Sequence, residues 1–164
     1  MNSHTPDAAS AVDLRAYLLG SWSVSRTLWD RSADTRGTFT GVASFIEADD
    51  GALRFREEGT VHWAAPGGEP FTGPAQREYV LHASDRPDTL EVFFPDGRPF
   101  HRMSFLSADD SELHWCDPDT YRVSYSLVSH DEYRYSWDVS GPAKNLLLES
   151  VLRRAVATGA GGEQ

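Results

Sequence analysis

Apolar and polar residues alternate along most of this chain, and clusters of Gly, Pro, Asp and Ser interrupt the alternation at short intervals. One segment breaks the pattern: Asp13–Gly20 (DLRAYLLG) carries a candidate N-cap in Asp13 and a breaker in Gly20, which predicts a short helix. After it, period-two patterning predicts strands at 21–29, 37–47, 52–63, 75–83, 88–94, 99–107, 111–116, 119–128, 131–139 and 145–154. Asp49-Asp50-Gly51, Asp96-Gly97, Asp109-Asp110 and Ser129-His130-Asp131 are short connections rich in hairpin-turn residues, so successive strands should pair antiparallel. A meander of ten strands removes its edges most economically by closing. The expected fold is an all-β antiparallel meander barrel of about ten strands, with the short N-terminal helix closing one end.

Sorting by parity gives the expected inner face. It holds Trp22, Val24, Arg26 and Leu28, then Phe39, Gly41, Ala43 and Phe45, then Leu53, Phe55, Glu57, Gly59, Val61 and Trp63. Arg77, Tyr79 and Leu81 follow, with His101, Met103 and Phe105, then Tyr121, Val123 and Tyr125, and finally Tyr133, Tyr135, Trp137 and Val139. Several of these are polar or charged, and a barrel that turns them inward must pair or solvate them. A wet, polar and aromatic-lined cavity for a small organic molecule meets that requirement.

The helix followed by Gly20-Ser21-Trp22 resembles the start of lipocalin-like (calycin) barrels, in which a Gly-x-Trp sequence opens the first strand. More widely, GSWSVSRTL, GTFTGVASF, REEGT, REYVLH, FHRMSF, HWCDPDTYRVSY and WDVSGPAKN resemble an uncharacterised family of single-domain lipocalin-like proteins, over residues 13–154. That resemblance implies a fold and hardly any function. It also implies that Trp22 packs on Arg153 or Arg154 near the closed end. Nitrobindin-like haem barrels carry their haem-ligating His on a late strand, whereas no His follows His130 here, so haem is disfavoured. Fatty-acid-binding proteins place two helices between their first strands, and Asp30–Arg36 leaves room only for a turn.

Composition narrows the setting. A chain of 164 residues, 40% hydrophobic and 24% charged, fits one domain: 13–154 as the barrel, with 1–12 and 155–164 as disordered tails. Its net charge of −10 repels nucleic acid and anionic membranes. Cys116 is the single cysteine, MNSHTPDAAS lacks the basic and apolar segments of a secretion signal, and no stretch suits a membrane span, so a cytoplasmic protein is expected. A homodimer is left open.

The candidate chemistry divides into two readings of one cavity. In the first, Arg26, Arg77, Tyr79, His114, Tyr121, Tyr125, Tyr135 and Trp137 bind an oxygenated or aromatic molecule, through stacking faces and a few hydrogen bonds. In the second, Glu57 and His101 act as acid and base in a cofactor-independent cyclase, isomerase or lyase. Glu57 and Arg77 lie on adjacent predicted strands, and such a pair can hold a substrate oxygen or simply fix register. His114, Cys116, Asp117 and Asp119 are metal-ligand types, but Asp117-Pro118-Asp119 reads as a turn and no second His or Cys cluster completes a tetrahedral set. No phosphate-cradling glycine loop is present either, so the expectation is no metal and no cofactor. Gly141-Pro142-Ala143-Lys144, with the only lysine, reads as a turn. A protein-interaction module ranks lowest, for want of an apolar patch.

Overall fold

The computed structural model describes residues 13–64, 68–105, 112–116 and 119–155, with 112–116 described by backbone alone. These residues form α1 (Leu14–Leu18) and ten strands: β1 (Gly20–Asp30), β2 (Thr35–Glu47), β3 (Leu53–Trp63), β4 (Phe71–Ala83), β5 (Thr89–Phe93), β6 (Pro99–Ser104), β7 (Glu112–Cys116), β8 (Asp119–Ser129), β9 (Glu132–Ser140) and β10 (Asn145–Arg154). All pairings are antiparallel, in the order β6-β5-β4-β3-β2-β1-β10-β9-β8-β7. The first strand pairs with the last, Trp22 opposite Arg154 through Asp30 opposite Leu146. Among the described residues no ladder joins β6 to β7, although their Cα atoms come within 8 Å, so the fold is a nearly closed meander barrel.

The turns form for the reasons their residues suggest. Gly51 and Gly97 adopt φ of +88° and +95°, the left-handed backbone that glycine adopts without steric cost. Asp131 N–H donates to Ser129 Oγ at 3.1 Å in the β8–β9 hairpin. Asp109-Asp110, Asp117-Pro118 and both predicted tails, apart from Ala155, lie outside the described residues.

The helix is shorter than its sequence pattern, because Gly20 takes φ of +116° and opens β1 rather than ending α1. Asp13 caps it, its carboxylate accepting from Ala16 N at 3.2 Å. Leu14 and Leu18 are fully buried, and Leu14 N donates to Pro87 O at 2.9 Å, which fixes the helix over one end of the barrel. Trp22 Nε1 donates to Leu18 O at 2.9 Å, and the Arg154 guanidinium lies 4.3 Å from the Trp22 ring. Arg154 is Trp22's register partner and shares its inward parity, while Arg153 points outward to Glu132.

Parity places the inner face as expected on β1 to β4, β8 and β9. On β6 the expected His101 and Met103 are buried, and a bulge adds one more inward residue. Val92 pairs with His101 but Phe93 pairs with Pro99, so Phe100 is an extra residue in a bulge, and both Phe100 and His101 are buried.

Two inward glycines, Gly41 and Gly59, are register partners, and the Phe39 ring covers both. A Cβ on Gly59 would run into the Thr40 carbonyl oxygen and the Gly41 Cα, backbone atoms that cannot swing away. Gly59→Ala is therefore expected to lower stability by about 1–3 kcal/mol, read from urea unfolding midpoints. Unchanged stability would mean that β2 and β3 do not approach this closely.

Candidate functional site

Arg26 points inward from the middle of β1, and its surroundings follow from register. Its β10 partner is Ser150, whose β9 partner is Tyr135. Arg26 Nε donates to Ser150 Oγ at 2.6 Å and Nη2 to the Tyr135 hydroxyl at 2.7 Å. On its other side its β2 partner is Phe39, while Glu57 pairs with Ala43 on β2, so the diagonal between Arg26 and Glu57 crosses only Gly41 and Ala43, too small to intervene. Glu57 reaches across this gap from β3, and Arg26 binds it through two hydrogen bonds, Nη1 to Oε1 at 3.0 Å and Nη2 to Oε2 at 2.7 Å. Arg77, the register partner of Glu57 on β4, places Nε 3.1 Å from Oε1.

The side chains of Arg26 and Glu57 are 2% and 1% exposed, whereas that of Arg77 is 24% exposed. The Arg77 guanidinium lies over the Trp137 ring at 4.6 Å, with the Tyr79 hydroxyl beside it. Burial alone would lower the Arg26 pKa, but Tyr135 and Glu57 outweigh it and hold the guanidinium charged.

This polar layer divides the interior. Towards the helix, the inner positions Leu53 and Phe55 of β3 and Leu81 of β4 are buried. Towards the other end, Val61 and Trp63 of β3 and Ala75 of β4 share the same face but are partly exposed, as are Leu28, Tyr121 and Leu146. The helix-side half is packed with rings: Tyr17 on Trp22 at 5.4 Å, Trp22 on Tyr133 at 5.0 Å, Phe45 on Phe55 at 5.0 Å. Between His101, Tyr125, Tyr135, Trp137, Tyr79 and apolar neighbours remains a cavity of about 30 Å³, room for about two waters. The Trp137 indole N–H is buried beside the Tyr125 hydroxyl with no hydrogen bond of good geometry.

The sequence-predicted residues therefore fall into two groups. Arg26, Glu57, Arg77 and Tyr135 form the polar layer, with Trp137 stacked on Arg77. Tyr79, His101, Tyr125, Tyr135 and Trp137 line the small cavity, which Glu57 does not line. Tyr121 packs against Phe100 and Trp137 at ring distances of 5.5 and 6.0 Å. The side chain of His114 lies outside the described residues. Sequence reasoning missed Ser150, which the parity of Leu148 and Leu152 would have placed inward. It also missed the contact of Lys144 with buried Asp119, Nζ to Oδ2 at 3.3 Å.

Removing the carboxylate would strand a buried guanidinium. Glu57→Gln is expected to cost about 3–5 kcal/mol in chemical denaturation, because breaking a buried pair leaves its partner uncompensated. A loss under 1 kcal/mol would mean that Arg26 reaches water. The tyrosines add a pH dependence. Burial holds the Tyr125 and Tyr133 phenols well above their usual 10.0, raises Tyr79 despite the opposing Arg77, and brings Tyr17 up to about 12. Below pH 10 these groups are neutral folded and unfolded, so their stabilising effect is intact. Above it the unfolded chain gains by ionising, and stability should fall from pH 10 through about 12. Tyrosinate absorbance should then rise together with the loss of near-ultraviolet dichroism. Full ionisation in a folded barrel would contradict this packing.

Solved structures are similar to this chain at low identity. The S-type phycobiliprotein lyase CPES from Guillardia theta aligns with a TM-score of 0.54 at 11% identity, over 93% of this chain and 99% of that one. EF1p2_mFAP2b bound to DFHBI has a TM-score of 0.44 at 15% identity, over 90% and 100%. Rv2717c from M. tuberculosis has 0.42 at 20% identity, over 89% and 99%. The likeness to the lyase shows the fold alone. No curated protein matches the sequence. The family model that matches, over residues 18–154, is described as a family of unknown function, and the chain belongs to that family, DUF6314.

Proposed function

We propose that this barrel binds one small organic molecule in the half of its interior away from the helix, on the layer made by Arg26, Glu57 and Arg77. The observation that carries the reading is the change in exposure along one inner face, from buried Leu53, Phe55 and Glu57 to partly exposed Val61 and Trp63. Apolar walls above a few fixed polar groups are the usual make-up of a small-molecule site. Tyr121, Tyr135 and Trp137 supply flat faces, and Arg77 supplies a charged one.

Binding is favoured here over proton transfer. Both Glu57 oxygens already accept from guanidinium groups, so the carboxylate offers little to a substrate proton, and His101 belongs to the small cavity instead. Docking of a protein partner gains little support, because the exposed side chains Val42, Ile46, Phe71 and Val128 spread over three strands. No helix among the described residues is long and apolar enough to cross a membrane. The single cysteine supports a reducing cytoplasm as the setting.

Native mass spectrometry of the protein from its own cells tests this reading. The expected result is a stoichiometric small organic adduct, released on denaturation and absent from Ala75→Trp, which fills the accessible half. Absence of any adduct, with no thermal shift across a small-molecule library, would contradict it. An adduct equally present in Ala75→Trp would place the ligand elsewhere.

A further inference from the structure

Among the described residues the charges of the polar layer do not balance. Arg26 and Arg77 bring two guanidinium groups to one carboxylate, Glu57, with side-chain exposures of 2%, 24% and 1%. Of the other buried carboxylates among the described residues, Asp119, on an inward-parity position of β8, is answered by Lys144, and Asp88 by Arg86. Among the described residues the polar layer thus holds one more cation than anion, in a protein whose net charge is −10. The excess lies on Arg77, because Arg26 spends its donors on Glu57, Ser150 and Tyr135.

Arg77 is also held ready. Its Nε is drawn to Glu57 Oε1 at 3.1 Å and its plane rests on Trp137 at 4.6 Å, so the side chain is fixed on two sides before any ligand arrives. Nε faces Glu57 Oε1 and the Tyr79 hydroxyl also hydrogen-bonds the guanidinium, while its terminal nitrogens form the planar fork that binds carboxylates in pairs of hydrogen bonds. Long-range repulsion from the acidic exterior is screened within about 8 Å at physiological salt, whereas a partly buried pair is screened far less.

We infer that the accessible half of the barrel takes an organic carboxylate, with its charged end on the Arg77 fork and an apolar or aromatic body against Val61, Ala75, Leu146 and Tyr121. The inference rests on the proposal that this half is a binding space, and it adds the ligand's charge and the residue that selects it.

The test pairs three acids, naphthalene-2-carboxylate, indole-3-acetate and decanoate, with the neutral amide of each, and measures binding by calorimetry. At least one acid should bind about tenfold or more tightly than its own amide. Arg77→Met should erase that preference while leaving amide binding in place, and Arg77→Lys should keep part of it. A second measurement needs no variant: raising salt should weaken the acid and spare the amide. Acids and amides binding equally would overturn the inference and leave the binding space standing. A preference that survives in folded Arg77→Met would also overturn it. No binding by any of the six would overturn both.

Discussion

A guanidinium taken almost wholly out of water costs several kcal/mol unless fixed acceptors replace its hydration, and Arg26 imposes that demand on the strands around it. Glu57 answers across β2, Ser150 from β10 and Tyr135 from β9. The arrangement works only because Gly41 and Ala43 leave a gap in β2, and because Gly59 lets the Phe39 ring lie flat beneath the guanidinium, 5.0 Å from it. One buried ion pair thus sets the side-chain sizes allowed on two neighbouring strands. It also ties the first strand to β9 and β10, across the pairing by which the barrel closes.

The same layer separates two environments. On the helix side the barrel behaves as an ordinary core, with aromatic rings packed edge to face and a void of about 30 Å³. On the other side the inner wall is built from Val61, Ala75, Leu28 and Leu146 together with Trp63 and Tyr121, side chains that stay partly exposed. Arg77 stands at the boundary, bound to the layer through Glu57 and turned partly towards solvent. A ligand-binding reading follows from that division rather than from the fold, which hosts unrelated functions.

Much of the architecture was legible because a half-buried strand advertises its faces. The helix start at Asp13, the strands and the inward parity of Arg26, Glu57, Arg77 and Trp137 all follow from period-two alternation and turn residues. The neighbouring positions of Glu57 and Arg77 followed from the hairpin between β3 and β4. The tighter partnership of Arg26 with Glu57 did not, because it skips a strand, and alternation says nothing about how far a side chain reaches over a glycine. Phe100 escaped because a bulge changes parity within β6. The division of the interior was also hidden, since it depends on summed side-chain volume at each level of the barrel.

The account depends on the two arginines of one layer standing in different surroundings, and hydrogen exchange of their guanidinium protons, resolved by NMR, measures that difference directly. The Arg26 protons should exchange only through global unfolding, at a rate that tracks stability across denaturant concentrations. The terminal Arg77 protons should exchange many times faster and independently of unfolding. Equal protection of the two, or rapid exchange at Arg26, would contradict a sealed polar layer with an accessible half above it.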